Sequence, residues 1–385
     1  MAWRGFMHRT KTELNTSFIL FIKTSRFSLH PQQRCGFRKA QRKPENRKEI
    51  PKENSAPDLG EAVSKRNTVS SHPGSPVPPP RKPGHIFRPL VFTVGFTGCS
   101  FGAAAVLQYE AVKYRVETTM EEAREDKLKK YGQSHAHWHH WWNQLSDFQK
   151  KMILLVSVVD DWWSRLTEGQ KTTTGIIALN TVVLCCWRIP FMQRTMFKFF
   201  TSSPVSKTRC LPMLLSSFSH YSILHMMANM YVLWTFSTSA VSLLGREQFL
   251  ALYLSGGVFS TLISYICKTA TGRLGRSLGA SGAVMTVLAA VCSKTPEAKL
   301  GIILLPILSF TAGNALKTLV ALDTVGLLLG WRMLDHAAHL GGVLFGVWYI
   351  VYGHELIWRR REPLVKFWHK LRKGPPGRAP PTGSV

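Results

Sequence analysis

Long runs without a charged residue recur along the middle of this 385-residue chain. Seven of them contain between 16 and 36 residues, namely 89–109, 172–187, 210–245, 248–267, 277–293, 300–316 and 336–354. A helix that crosses the hydrocarbon of a bilayer needs about 20 mostly apolar residues. One such run is compatible with a buried core helix, but seven in one chain predict an all-α, polytopic helical membrane protein.

The region 300–331 leaves the number of crossings open. Leu300–Ser309 is very apolar but contains Pro306, and the following stretch carries Lys317 and Asp323. Two crossings here would give eight spans in all. A single crossing gives a six-helix core at 171–356, preceded by a separate leading transmembrane helix at 89–110. The polar residues of the spans, described below, favour the single crossing.

The charges concentrate at the two ends of the chain. Residues 1–88 contain 18 Lys and Arg against 6 Asp and Glu, and residues 359–385 contain 8 against 1. The basic, Ser- and Thr-containing segment 1–50 is typical of a mitochondrial targeting presequence, and its apolar run is too short for a secretory signal. The Pro-rich segment 51–88 predicts a disordered linker, and 357–385 a basic tail. Because the middle is apolar, no nucleic-acid partner is expected.

A charged and aromatic segment, 111–170, connects the leading span to the core. It contains four close histidines interleaved with tryptophans: His135, His137, His139 and His140 with Trp138, Trp141 and Trp142. Four histidines are compatible with a metal site, but no carboxylate or thiolate pattern accompanies them. Tryptophans beside spans typically mark the headgroup zone, so we predict interfacial residues here, with no metal and no cofactor.

Polar residues inside the predicted spans are the candidate chemistry, because they are costly in a bilayer. They are His220, His225 and Asn229 in the second core span, Ser281 in the fourth and His339 in the sixth. With a single crossing at 300–331, these three spans run in the same direction, and each carries its polar residues near its starting end. The side chains can then converge on one cavity, whereas two crossings would place His339 at the opposite face.

Small residues flank the serine and the last histidine. Ser281 lies between Gly279 and Gly282, and His339 precedes Gly342 and Gly346 on one helix face. Small residues allow helices to approach closely, so packing alone also explains these glycines. An imidazole at the depth of a glycine-flanked serine, however, favours a serine nucleophile activated by histidine.

Two residues of the second core span are candidate hydrogen-bond donors. His225 and Asn229 are four positions apart, hence on one helix face, and both can donate to a developing oxyanion. His220 points elsewhere and is predicted to brace the adjoining loop. Hydrogen bonding between helices is the alternative explanation of these residues.

Competing chemistries lack their motifs. A zinc protease needs His-Glu-x-x-His, but His354-Glu355 is followed by Trp358 at the required place. The Gly-x-Gly-Asp and Tyr-Asp strings of presenilin-type aspartyl proteases do not occur, and His336 and His339 show no further ligand in the sequence. A proton-coupled carrier that uses the buried histidines would leave the Gly-Ala-Ser-Gly string unexplained.

Taken together, the motifs resemble those of rhomboid intramembrane serine proteases. The matching strings are His-x4-His-x3-Asn at His220, His225 and Asn229, Gly-x-Ser-Gly at Gly279, Ser281 and Gly282, and Ala-His-x2-Gly-x3-Gly at Ala338, His339, Gly342 and Gly346. The match covers about 170–355, and the presequence and leading helix are similar to those of mitochondrial members. The resemblance implies a Ser–His dyad without a third acidic member. In it Ser281 is the nucleophile, His339 the base and then acid, and His225, Asn229 and the Ser281 N–H form the oxyanion hole.

The resemblance also implies a biological setting. Family members cleave single-span proteins within or beside their membrane helix, and the mitochondrial substrates include a mitophagy kinase and an apoptosis-linked phosphatase. We therefore expect a multi-pass protein of the mitochondrial inner membrane that acts in quality control and apoptosis signalling, with the bilayer and its substrates as partners. The alternative is an inactive rhomboid-like scaffold that binds membrane helices. The sequence specifies neither the oligomeric state nor the face on which the site opens.

One feature departs from the family pattern. Many members carry a Trp-Arg pair in the loop eight or nine residues before the first motif histidine, whereas this chain has Leu211 and Pro212 there. Its own pair, Trp187-Arg188, lies much further upstream, at the end of a predicted span.

Overall fold

The computed structural model describes residues 86–128, 144–302 and 305–373. The predicted presequence, the linker up to residue 85, the four clustered histidines and the end of the basic tail lie outside the described residues. Within these ranges the chain is almost entirely helical, which confirms the prediction of an all-α polytopic protein.

Eleven α-helices lie within the described residues. In chain order they are α1 (Phe87–Leu128), α2 (Asp147–Arg165), α3 (Glu168–Cys186), α4 (Gln193–Phe199), α5 (Cys210–Leu215), α6 (Ile223–Leu244), α7 (Arg246–Thr271), α8 (Ser281–Lys294), α9 (Ala312–Leu329), α10 (His336–Trp348) and α11 (Glu362–Lys373). Single 3₁₀ turns occur at Pro190–Met192, Ser216–Phe218 and Arg359–Arg361, and a π-helix, Tyr349–Trp358, continues α10. Two short antiparallel strands, β1 (Lys299–Ile302) and β2 (Leu305–Thr311), form a hairpin before α9.

The six-helix core consists of α3, α6, α7, α8, α9 and α10, with α1 as the separate leading helix. The ambiguous region 300–331 contains the hairpin and one helix that is long and apolar enough to cross a membrane, which fits a single crossing. The hydroxyl of Thr311 accepts a hydrogen bond from Asn314 N and starts α9, while Gly330, with φ of 71°, ends it. The apolar run around Pro306 therefore belongs to a strand rather than to a span.

Among the described residues, four helices are long and apolar enough to cross a membrane: Phe87–Glu122, Arg246–Thr271, Ala312–Leu329 and His336–Arg372. A fifth is formed if Glu168–Cys186 and the sharply bent segment after it are counted as one span. The remaining core helices are α8, which has only 14 residues, and α6, which contains several polar residues.

Helix α1 packs along α7 and continues well beyond the predicted end at residue 110. The ring of Phe101 stacks on Tyr349 with centroids 4.8 Å apart. At Glu110 the carboxylate accepts a hydrogen bond of 2.8 Å from Trp368 Nε1 and pairs with Arg372, both on α11. The C-terminal helix thus holds α1 in place, and the helix-forming residues after Glu110 extend it without apolar packing.

Candidate active site

Ser281 is the first residue of α8, and the backbone turn that leads to it depends on a glycine. Gly279 has φ of 137°, a conformation that other residues rarely adopt. A Cβ at this position would also lie only 3.0 Å from His225 Cε1. The first N–H groups of a helix have no partner within the helix, so the Ser281 hydroxyl lies beside free backbone donors.

Helices α8 and α10 touch through their backbones. A Cβ on Gly342 would overlap the carbonyl oxygen of Gly282, and one on Gly346 would overlap that of Thr286. The Thr286 hydroxyl donates a hydrogen bond of 3.0 Å to Gly342 O across the interface. The predicted role of the glycines in close approach is therefore seen in the contacts.

This interface brings together the segments that carry Ser281 and His339. A Cβ on Gly282 would lie 3.6 Å from Ala338 O, so the residues immediately after the serine and immediately before the histidine are neighbours. Among the described residues the Ser281 hydroxyl has no hydrogen-bond partner. Catalytic hydrogen bonds are often long in unliganded enzymes and shorten when substrate binds.

A carboxylate that the sequence analysis did not assign holds the imidazole of His339. Asp323, on α9, accepts a hydrogen bond of 3.0 Å from His339 Nδ1, and both side chains are buried. With its proton on Nδ1, a neutral imidazole has its lone pair on Nε2. The structure thus differs from the family pattern of a dyad without a third acidic member. The sequence signal that could have indicated this role is a single acidic residue, Asp323, within an apolar run.

The same carboxylate oxygen also accepts a hydrogen bond from a second histidine, His336. This contact corrects the sequence interpretation that His336 and His339 have no further ligand. His336 Nδ1 lies 2.6 Å from Asp323 Oδ1, and the three side chains place potential ligand atoms within 4.8 Å of one another. Two ligands of a tetrahedral zinc, each about 2 Å from the ion, lie about 3.3 Å apart. The short nitrogen–oxygen distances therefore fit two hydrogen bonds to one carboxylate better than a metal centre.

His220 supports the loop before the serine. Its Nε2 accepts a hydrogen bond of 3.2 Å from Ala280 N, and the ring is fully buried. Burial, followed by the adjacent ring of His225, lowers the pKa of His220 to about 4. The imidazole is therefore neutral near pH 7 and can keep accepting this bond, which agrees with the bracing role expected for it.

His225, on α6, lies beside the loop that leads to Ser281, and Asn229 follows it one helical turn later. The His225 ring is half-buried and lies against Gly279, next to the Ser281 hydroxyl, which is 3.8 Å from the Cβ position of that glycine. Asn229 is buried and donates one amide hydrogen to His225 O at 2.8 Å. Its second amide hydrogen is left for another acceptor.

The upstream pair Trp187-Arg188 reaches the site through the fold. Trp187 Nε1 donates a hydrogen bond of 2.8 Å to Ser219 Oγ, and Arg188 Nη2 donates one of 3.2 Å to Tyr221 O. These two acceptors flank His220 in the sequence. The pair therefore braces His220 from the end of α3. Because about 30 positions separate the pair from His220 in the sequence, only the fold shows this contact.

Asp335 joins the start of α10 to the loop that leads to Ser281. Its Oδ1 accepts a hydrogen bond from Ala338 N and caps α10. Its Oδ2 accepts bonds of 2.8 Å from Lys268 Nζ, 2.6 Å from Ser264 Oγ and 2.5 Å from Ser277 Oγ. Burial raises the pKa of Asp335, but the Lys268 charge and these bonds outweigh it and lower the pKa to about 2. The carboxylate is thus ionised under all ordinary conditions.

Comparison with known proteins assigns the family. The model of the Rhomboid domain matches residues 207–356. The presenilin-associated rhomboid-like protein A, mitochondrial, of Danio rerio is 67% identical, and the alignment covers 100% of this chain and 99% of that protein. The presenilin-associated rhomboid-like protein, mitochondrial, of Homo sapiens is 53% identical over 91% of this chain and 87% of its own length. The rhomboid protein 1, mitochondrial, of Saccharomyces cerevisiae is 31% identical over 51% and 57%. This chain is therefore a mitochondrial, multi-pass membrane protein of the rhomboid family.

Proposed function

We propose that this protein is an intramembrane serine protease that hydrolyses peptide bonds in or near the membrane helix of single-span proteins. The main support is the contact between α8 and α10, which brings the start of the helix that carries Ser281 to the start of the helix that carries His339. A serine is a weak nucleophile unless a neighbouring base takes its proton, and a histidine is the usual base.

In the proposed reaction, Ser281 Oγ attacks the carbonyl carbon of the scissile bond while His339 Nε2 accepts the hydroxyl proton. The Asp323 carboxylate keeps the Nδ1–H of His339 in place and stabilises the imidazolium that forms. His339 then donates the proton to the leaving amine. Water hydrolyses the acyl-enzyme in a second step, with His339 again acting as base.

The negative charge on the carbonyl oxygen needs hydrogen-bond donors in the same cavity. The backbone N–H of Ser281 is available because it begins a helix, and the His225 ring lies next to it. The remaining amide hydrogen of Asn229 is the third candidate donor. Each donor of this kind contributes about 3 kcal/mol to stabilisation of the transition state.

The setting of this activity is part of the proposal. We place the protein in the mitochondrial inner membrane, with single-span membrane proteins as substrates and roles in quality control and apoptosis signalling. The support is the resemblance of the motifs and the mitochondrial relatives.

The decisive experiment compares wild type with Ser281→Ala after reconstitution of the full chain in vesicles that contain a single-span substrate. We expect Ser281→Ala to lose cleavage by at least about 10⁴-fold, because removal of a serine nucleophile leaves only the remaining groups of the site. The matched control is Ser293→Ala, at the other end of α8, which should cleave like wild type. A fluorophosphonate probe should label wild type and Ser293→Ala but not Ser281→Ala.

Two results would contradict the proposal. Cleavage by Ser281→Ala at the wild-type rate would remove this serine from the mechanism. Absence of both turnover and probe labelling in folded wild type would favour the inactive scaffold that binds membrane helices.

A further inference from the structure

The segment after α3 turns away from the direction of its helix. Pro190–Phe199 makes an angle of 98° with Glu168–Cys186. If α3 crosses the bilayer, this segment runs along the membrane surface. Phe191 is 84% exposed and Phe197 is 48% exposed, while Met196 is buried against the core. Exposed aromatic rings on a helix that lies along the surface are typical of residues that enter the interface of the membrane.

A basic pocket of about 280 Å³ opens beside this segment. Its polar lining consists of four cations and two hydroxyls: Arg194, Lys198, Lys207 and Arg276 with Ser206 and Thr208. No carboxylate lines it, and none of the four cations forms a salt bridge with another described residue. Four positive charges that are not neutralised locally, together with hydroxyl donors, form a binding site suited to an anion.

Two hydrogen bonds hold the guanidinium of Arg276 in position at the pocket. Its Nη1 donates hydrogen bonds of 2.7 Å to Phe197 O and 3.0 Å to Thr201 Oγ1. A guanidinium has five N–H donors in a fixed plane, so the others remain available to a ligand. The pocket therefore contains a pre-oriented arginine rather than only mobile surface lysines.

We propose that this pocket binds the phosphate of an anionic phospholipid headgroup. The four cations and two hydroxyls match a phosphate, and the exposed rings of the neighbouring segment place the pocket at the depth of the headgroups. A lipid source is favoured over a free phosphate because the half-exposed ring of Phe197 lines the pocket beside the cations and offers an apolar surface to an acyl chain.

The pocket is connected to the loop that carries Ser281. Ser202 comes shortly after the segment Pro190–Phe199, and Ser277 follows Arg276. These two serines pair through backbone hydrogen bonds of 2.8 and 3.0 Å. Ser277 is also bonded to Asp335 at the start of α10. A headgroup bound to Arg276 would therefore order the loop that leads to Ser281.

The test measures binding to the full chain in a neutral detergent, with Ser281→Ala as the background so that the result is independent of proteolysis. The probe is a fluorescent short-chain phosphatidylglycerol. The test variant is Arg194→Gln/Lys198→Gln/Lys207→Gln. The matched control removes equal charge from α11 and the 3₁₀ turn before it, as Arg360→Gln/Lys366→Gln/Lys370→Gln. Each cation near an anionic lipid contributes about five-fold in affinity, so the pocket variant should bind roughly 100-fold more weakly. The control should stay within about two-fold of the background protein.

Three results would overturn the proposal. Equal weakening in both triple variants would show attraction by overall charge rather than a site. Displacement of the probe by inorganic phosphate as effectively as by unlabelled phosphatidylglycerol would assign the pocket to a free anion. Absence of probe binding to the background protein would exclude a lipid site. If the pocket triple variant does not fold, Lys207→Gln alone, in an exposed loop, should still weaken binding about five-fold.

Discussion

Helices α8 and α9 are neighbours in sequence and in the fold, yet their surroundings differ. In α8 every residue from Gly282 to Cys292 is buried, although the helix has only 14 residues. In α9, with 18 residues, only Ala312, Asp323 and Gly326 are buried. Protein encloses the short helix on all sides, whereas most residues of the longer helix are partly or fully exposed at the surface of the protein.

The two helices also contribute to the site differently. Helix α8 contributes the Ser281 hydroxyl, at the start of a helix that packing holds in place. Helix α9 contributes one carboxylate, that of Asp323, and otherwise faces outward. A charged residue on such a helix is costly unless it is paired, and here two histidines pair with it. A peripheral helix can therefore supply a site residue through a single inward polar position.

The largest expected effect comes from the same truncation on each helix. Leu288, on α8, is 7% exposed, and Leu328, on α9, is 77% exposed. Leu288→Ala should lower the free energy of unfolding by about 3 kcal/mol, because it leaves a cavity in packed protein. Leu328→Ala should change it by less than about 0.5 kcal/mol, because lipid fills the space. Thermal unfolding in detergent measures both, and equal losses would refute the contrast between the helices.

A second variant isolates the contribution of α9 to the site. Asp323→Asn should lower kcat roughly 100-fold with little change in KM, because the imidazole of His339 loses its orientation while substrate contacts remain. The exposed Thr324→Ala, one residue further along α9, is the control. An unchanged kcat would remove Asp323 from the proposed mechanism, and a matching loss of thermal stability would mean that Asp323 is only structural.

The smallest effect tests how closely α8 and α10 must approach. Gly342→Ala places a methyl group into the carbonyl of Gly282 and should cost about 2 kcal/mol of stability. Gly175→Ala on α3 is the matched control, because a Cβ there meets no atom within 4 Å. That control should be neutral or slightly stabilising. Equal stability of the two variants would show that the helices can separate without penalty.

The sequence was sufficient for the parts that depend on local patterns. Charge-free runs gave the fold class, and the depth of polar residues within the spans gave the single crossing before α10. Short motifs indicated Ser281 and His339 as candidates and predicted the close approach at Gly342. Each motif spans only a few positions of the chain, so it can be recognised without the fold.

Contacts between distant segments could not be read from the sequence. Asp323 contacts His339 from another helix. In the sequence Asp323 is a lone acidic residue in an apolar run, and such a residue by itself argues only against a membrane span. Trp187 and Arg188 lie about 30 positions from the loop that they brace, so only the packed fold shows the contact. Hydropathy also fails to show which helix is central, because α8 is short and α9 is the more typical span.

If the proposed reaction holds, the length of α8 determines how a peptide bond reaches Ser281. Fourteen residues make a helix about 21 Å long, whereas the hydrocarbon layer is about 30 Å thick. With its far end at one surface, α8 leaves its first residue submerged by about 9 Å beneath the other. Water has to descend to this depth for hydrolysis to occur. An incoming membrane helix hides its carbonyl groups in its own hydrogen bonds, so it must uncoil locally before any of them can be attacked.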